Sequence, residues 1–122
     1  MKIVRYDPPR PYARASQVGD LVFLAGQTGR DEHGKNTEGS IREQTRTAFG
    51  QIGENLASFG LGFEDLVRMD VFLANGEDGH TFSETMMEYL PEGSPPGAMV
   101  VVKGFSHPGI LVEIECIAAA RR

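Results

Sequence analysis

Tryptophan is absent from this chain, and cysteine occurs once, as Cys116. A single thiol closes no internal disulfide, so no covalent framework stands in for a core, and the chain fits a reducing compartment, the cytoplasm. Basic residues are also few. The 12 Lys and Arg stand against 17 Asp and Glu, for a formal net charge of -5. Nucleic acid and anionic membrane both require a basic surface, so the charge argues against either as a partner. Apolar runs stay far short of the ~20 residues that a membrane span needs, and residues 1–5 carry no signal-peptide core. The three histidines, His33, His80 and His107, have no H-x-x-x-H or H-x-H spacing, so no metal site is expected. There is no Gly-x-Ser-x-Gly elbow. Gly60-Leu61-Gly62 lacks the third glycine and the preceding strand of a dinucleotide loop.

What remains is an ordinary globular composition. The chain has 122 residues, 40% hydrophobic and 24% charged, which is enough for one domain over residues 1–122 with a core of its own. Residues 12–17 and 21–25 read as a hairpin about Val18-Gly19-Asp20. The second arm is continuously apolar, as a central strand covered on both faces would be. Gly26 to Gly29 ends it, and residues 30–39 are a polar loop. Ser40-Ile41-Arg42-Glu43 is a capping box that opens a helix. Ile41, Thr45, Ala48, Ile52, Leu56 and Phe59 mark its buried face, and Gly60 stops it. Val67, Met69, Val71 and Leu73 alternate as one face of a strand. Thr81-Phe82-Ser83-Glu84 resembles a second capping box, with Phe82, Met86 and Tyr89 or Leu90 as the buried stripe of a short helix that Pro91 and Pro95-Pro96 prevent from continuing. Residues 99–103 form a further strand. The order is β-β-α-β-α-β-β, with room for one more short strand at residues 3–6. Right-handed crossovers put both helices on the same side of one mixed sheet. The other face is then exposed or packed on another subunit, so an oligomer whose sheets close around a shared interior is expected.

The last strand, from Gly109 to Ala118, is the most informative segment. Ile110, Val112, Ile114, Cys116 and Ala118 line one wholly apolar face, which makes Cys116 a small core residue. The opposite face carries Glu113 and Glu115 between Leu111 and Ile117, roughly 7 Å apart along the strand. A carboxylate is seldom buried without a partner. That face is therefore either wet or the wall of a cleft in which a carboxylate acts.

Pro11-Tyr12-Ala13-Arg14-Ala15, residues 18–27 ending in Gly26-Gln27, Thr45-Arg46-Thr47-Ala48, residues 70–73 and residues 111–118 together resemble the RidA/YjgF family, in order and from about Tyr12 to Ala118. The resemblance implies a chorismate-mutase-like α/β (α+β) domain with two helices on one face of a mixed sheet. It implies a homotrimer with intersubunit clefts for a small-molecule ligand. It also implies hydrolysis of enamines and imines to keto compounds and ammonia, with no metal or organic cofactor. On this resemblance Glu113 is the catalytic candidate, as the residue that orients and deprotonates water. Tyr12 and Gln27 are kept as candidate ligand contacts, and Glu115 reads as structural. The family's arginine clamp for a substrate carboxylate, counted back from the Glu-x-Glu strand, falls on Ala98 in Pro96-Gly97-Ala98-Met99. Alanine offers no bidentate fork, so simple 2-imino acids lose their usual handle. Ser83 and Arg10 depart from the family pattern as well. Backbone amides near Ala98 and Met99 are then candidates to hold the ligand, and Arg10, Arg14 or Arg30 to replace the clamp. The alternatives left open are a ligand-binding or interaction module on the same trimeric fold and a pathway-specific deaminase.

Overall fold

The computed structural model describes residues 2–6, 11–30 and 39–120. Among the described residues seven strands form one mixed sheet and two α-helices pack on one side of it: β1 Ile3–Tyr6, β2 Ala15–Val18, β3 Leu21–Leu24, β4 Gln27–Thr28, α1 Ile41–Ala57, β5 Leu66–Leu73, α2 Gly79–Met86, β6 Met99–Val101 and β7 Val112–Ala119. The strand order is β1-β2-β3-β7-β5-β6, and β4 also pairs with β7. Every pairing is antiparallel except β5 with β6, which α2 joins as a parallel crossover.

Period-two burial along β7 sets the layer boundary. Val112, Ile114, Cys116 and Ala118 are at most 2% exposed and meet the helices. Helix α1 begins at Ser40, whose side chain accepts the Glu43 N–H, and the chain turns out of it at Gly60, with φ at +72°. Its buried face contains Ile41, Thr45, Ala48, Ile52 and Leu56 as expected and two residues that the periodic reading passed over, Phe49 and Gln44, whereas Phe59 lies past the helix end and is half-buried. Phe49 is the hub between the helices, stacked at 5.0 Å on Tyr89 and 6.2 Å from Phe82.

Four sequence expectations differ from the structure in instructive ways. Strand β3 is not covered on both faces: Val22 and Leu24 are buried, but Leu21 and Phe23 are 41% and 39% exposed on the side without helices. Val67 does not face the core. A β-bulge between Leu66 and Arg68 shifts the register, so Leu66 points inward and Val67 is exposed. Helix α2 starts at Gly79, two residues before Thr81, and Asp78 at its N-cap makes no side-chain cap bond. Thr81 is thus inside the helix, where its carbonyl accepts from Thr85 Oγ1 at 2.8 Å. Finally, residues 26–29 do not merely end β3, because Gln27 and Thr28 return to the sheet as β4.

Candidate active site

The break between β3 and β4 creates the site. Phe23 pairs with Ile117 and Gln27 with Ile114, so four steps on one strand oppose three on β7. One extra residue is accommodated around Ala25 and Gly26, a bulge that bends the sheet beside Glu113. Glu113 lies on the side of β7 away from the helices, paired with Phe72 on one flank and Thr28 on the other. Its carboxylate passes over Gly26. A Cβ at Gly26 would come within 2.8 Å of Glu113 Oε2, so glycine is what gives the acid its room.

A cavity of about 600 Å³ opens here, and Glu113, Tyr12, Arg14, Gln27 and Arg30 all line it. Five of the eight candidates singled out from the sequence therefore meet in one place. Burial first, and the neighbouring Glu115 carboxylate second, raise the Glu113 carboxyl above the usual glutamate value. A proton-transfer group in a cavity benefits from such a shift towards neutral pH. Tyr12 is 69% exposed at the rim. Gln27 donates from Nε2 to the Ala25 carbonyl at 3.1 Å, which ties its amide across the bulge. Arg14 reaches Ser58 Oγ at 2.7 Å and lies over the Phe59 ring, so its guanidinium is fastened to the end of α1. Arg10 and His33 lie outside the described residues.

Ala98 and Met99 are elsewhere in the single chain. They border a second, smaller cavity of about 150 Å³ between β6 and α2, together with Phe82 and Ser83. The Ala98 N–H donates to Asp70 Oδ1 at 2.9 Å, so it is not offered to a ligand as the sequence reading expected. That bond, followed by the Arg68 guanidinium, holds the Asp70 carboxyl below its ordinary value. Gly97 packs so closely on the Met69 carbonyl that no Cβ fits there. The segment where the resemblance would put an arginine clamp is thus drawn down on β5.

Several lining residues escaped the sequence reading. Gln51 donates from Nε2 to the Arg30 and Thr28 carbonyls, at 2.7 and 3.2 Å, and pins the end of β4 to α1. Glu54 and Asn55 follow it on the same helix face. Ser106 and His107 line the cavity too, with Ser106 Oγ 3.0 Å from His107 Nδ1. Their turn is anchored by Gln44, which is 3% exposed, donates to the Gly109 carbonyl and accepts from the Leu111 N–H, both at 2.8 Å. The available signal was Gln44 itself, an amide among the apolar positions of an amphipathic helix. Burial of Cys116 pushes its thiol up to about 12, so it is no nucleophile. Among the described residues no three His, Cys, Asp or Glu side chains gather as a metal site, and no helix is long and apolar enough to cross a membrane.

The sequence model of the family described as endoribonuclease L-PSP matches residues 3–120. The mouse protein named 2-iminobutanoate/2-iminopropanoate deaminase is 33% identical over 109 residues, 88% of this chain and 80% of its own. The mitochondrial protein mmf2 of Schizosaccharomyces pombe is 35% identical over 111 residues, 89% of this chain and 87% of its own. Among solved structures, RidA from an Antarctic Psychrobacter superposes with a TM-score of 0.84 at 30% identity, covering 93% of this chain and 92% of that one.

Proposed function

From the premise that this chain belongs to the endoribonuclease L-PSP family, the RidA/YjgF proteins, we propose that its Glu113 cavity hydrolyses an imine, enamine or related reactive metabolite, releasing ammonia. The observation that carries this reading is Glu113 itself: a carboxylate given space by Gly26, raised by burial, and set in a cavity with Tyr12, Gln27 and Arg30. Imine hydrolysis asks for little else. Water adds to the protonated C=N carbon while Glu113 takes its proton. Glu113 then returns that proton to the nitrogen of the carbinolamine. The C–N bond breaks as Glu113 takes the hydroxyl proton and the carbonyl forms, and the departing ammonia carries that proton away as ammonium. Every proton is returned, and the scheme calls on no oxidant or cofactor.

The substrate is not a simple 2-imino acid. With Ala98 in place of the clamp and its N–H held by Asp70, nothing at that position grips a carboxylate next to the imine carbon. Ribonuclease action, which the family description names, is not carried over, because a chain of net charge -5 is ill suited to a polyanion.

The working form is a homotrimer in a reducing compartment. Leu21, Phe23, Val67 and Val100 are 39–44% exposed in the single chain, and Leu21, Phe23 and Val100 share the sheet face without helices with Phe72 and Ile117. Apolar area of that kind is normally covered by another subunit. A trimer would bring the β6 edge with Ala98 and Met99 to a neighbour's Glu113 cavity. Light scattering tests the assembly, with three times the 13.3 kDa chain mass expected. Ammonia release from imines generated in situ by amino-acid oxidases tests the activity, which should exceed the spontaneous rate. The same trimer binding ligands with no turnover on any imine would favour a binding module.

A further inference from the structure

Helix α1 buries one amide among its apolar residues. Gln44 is 3% exposed, on the face that also carries Ile41, Ala48 and Phe49. It does not line the Glu113 cavity, yet it joins both strands that frame it. On one side it holds the entry to β7. Its Nε2 donates to the Gly109 carbonyl and its Oε1 accepts from the Leu111 N–H, both at 2.8 Å. These bonds bracket Ile110, which lines the cavity, and stop two residues short of Glu113. The Leu111 carbonyl accepts from the Ala74 N–H at 3.0 Å, so both polar backbone groups of Leu111 are fixed. On the other side the Gln44 side chain lies against Gly29, where a Cβ would come within 2.5 Å of its Cγ. Gly29 follows Thr28, the β4 residue paired with Glu113. Glu113 thus stands between two backbone segments that one side chain holds to the same helix. The tolerance is small, because a Cβ at Gly26 would collide with the Glu113 carboxylate.

Resting on the imine reading above, we propose that Gln44 is the positioning residue for Glu113: by tying residues 109–111 and the end of β4 to α1, it fixes where the carboxylate stands in the cavity. An amide suits this task because it offers a donor and an acceptor at once. Its burial makes either bond costly to leave unmade. The titratable groups that share the cavity with Glu113 are Tyr12, Arg14, Arg30, Glu54 and His107, and Glu115 neighbours it on β7. Gln44 hydrogen-bonds to none of them. Its influence on the acid therefore passes through backbone position.

Carbon-13 NMR of the labelled Glu113 carboxyl, together with kinetics, tests this. In Gln44→Leu the carboxyl should titrate closer to the ordinary glutamate value than in the wild type, as a displaced side chain meets more water. On an imine that the wild type turns over, kcat should fall about tenfold or more, with KM changed less. Gln44→Glu is the second variant. When protonated, its carboxyl presents the same carbonyl acceptor and an O–H donor, so its kcat relative to wild type at the same pH should rise as pH falls. Ile52→Val, on the same buried helix face, should lower the melting temperature and leave the Glu113 titration in place. An unmoved titration with unchanged kcat in Gln44→Leu, an equal displacement in Ile52→Val, or failure of both Gln44 variants to fold would each overturn the assignment. Ammonia release equal to the blank on every imine would discard the imine reading instead, and the NMR titration would still judge Gln44.

Discussion

Two places on the sheet, the Glu113 cavity beside β7 and the β6 edge beyond β5, have been treated in opposite ways. At the Glu113 end the chain spends glycine, a bulge and three buried or half-buried glutamines to hold polar groups around an open cavity. At the β6 end glycine serves the reverse purpose. Gly97 lets the backbone settle on the Met69 carbonyl, Asp70 takes up the Ala98 N–H, and the Pro96 and Ala98 carbonyls accept from Met69 and Val71 at 3.1 and 2.8 Å. On the proposed reading, the end where the reaction would take place is open, and the segment where the resemblance would put the clamp is closed by backbone contacts.

The sharpest way to break that contrast is to remove the acid. Glu113→Gln should lower turnover about 100-fold or more, the usual scale for a general acid–base group, with the secondary structure unchanged. Unaltered turnover on the true substrate would move the chemistry elsewhere. Gly97→Ala attacks the sealed end. Its methyl group would collide with backbone rather than with a movable side chain, so thermal or urea unfolding should show a loss of about 1–3 kcal/mol. No loss would mean that the β5–β6 contact relaxes freely. Ala98→Arg restores the absent fork and should raise the rate on 2-iminobutyrate about tenfold if the remaining site accepts that substrate. A folded variant with no gain would show that other contacts have diverged too.

The smallest effect concerns pH. Because burial raises the Glu113 carboxyl in the folded chain, the fold binds this proton more tightly than the unfolded chain does. Its contribution to stability is fully present below the ordinary glutamate value of 4.5 and is lost as pH rises through the raised folded value. Glu113→Gln should flatten that part of the stability–pH curve. An unchanged slope in the variant would separate Glu113 from the effect.

Much of this was legible in the sequence because it rests on local rules. The Ser40 cap, the Gly60 stop and the alternation along β7 each depend on a few neighbouring residues, and each reappears in the structure. Val67 and Thr81 were misplaced because a bulge and an early helix start are decided by tertiary packing, which overrides local pattern. In the site, Glu113 stood out as a carboxylate between apolar residues. Gln44, Ser106 and His107 did not, since their roles come from contacts across 65 and 67 residues of sequence and from a turn whose residues are individually unremarkable.

One experiment bears most directly on the claim that the open end still does chemistry. Ammonia release would be followed from oxidase-generated imines of alanine, 2-aminobutyrate, phenylalanine and glutamate, with the wild-type chain and with Glu113→Gln. The account expects acceleration above the blank, greater on an imine other than the simple 2-iminopropanoate and 2-iminobutyrate, and its loss in the variant. Rates equal to the blank on every imine, or acceleration that survives Glu113→Gln, would contradict it.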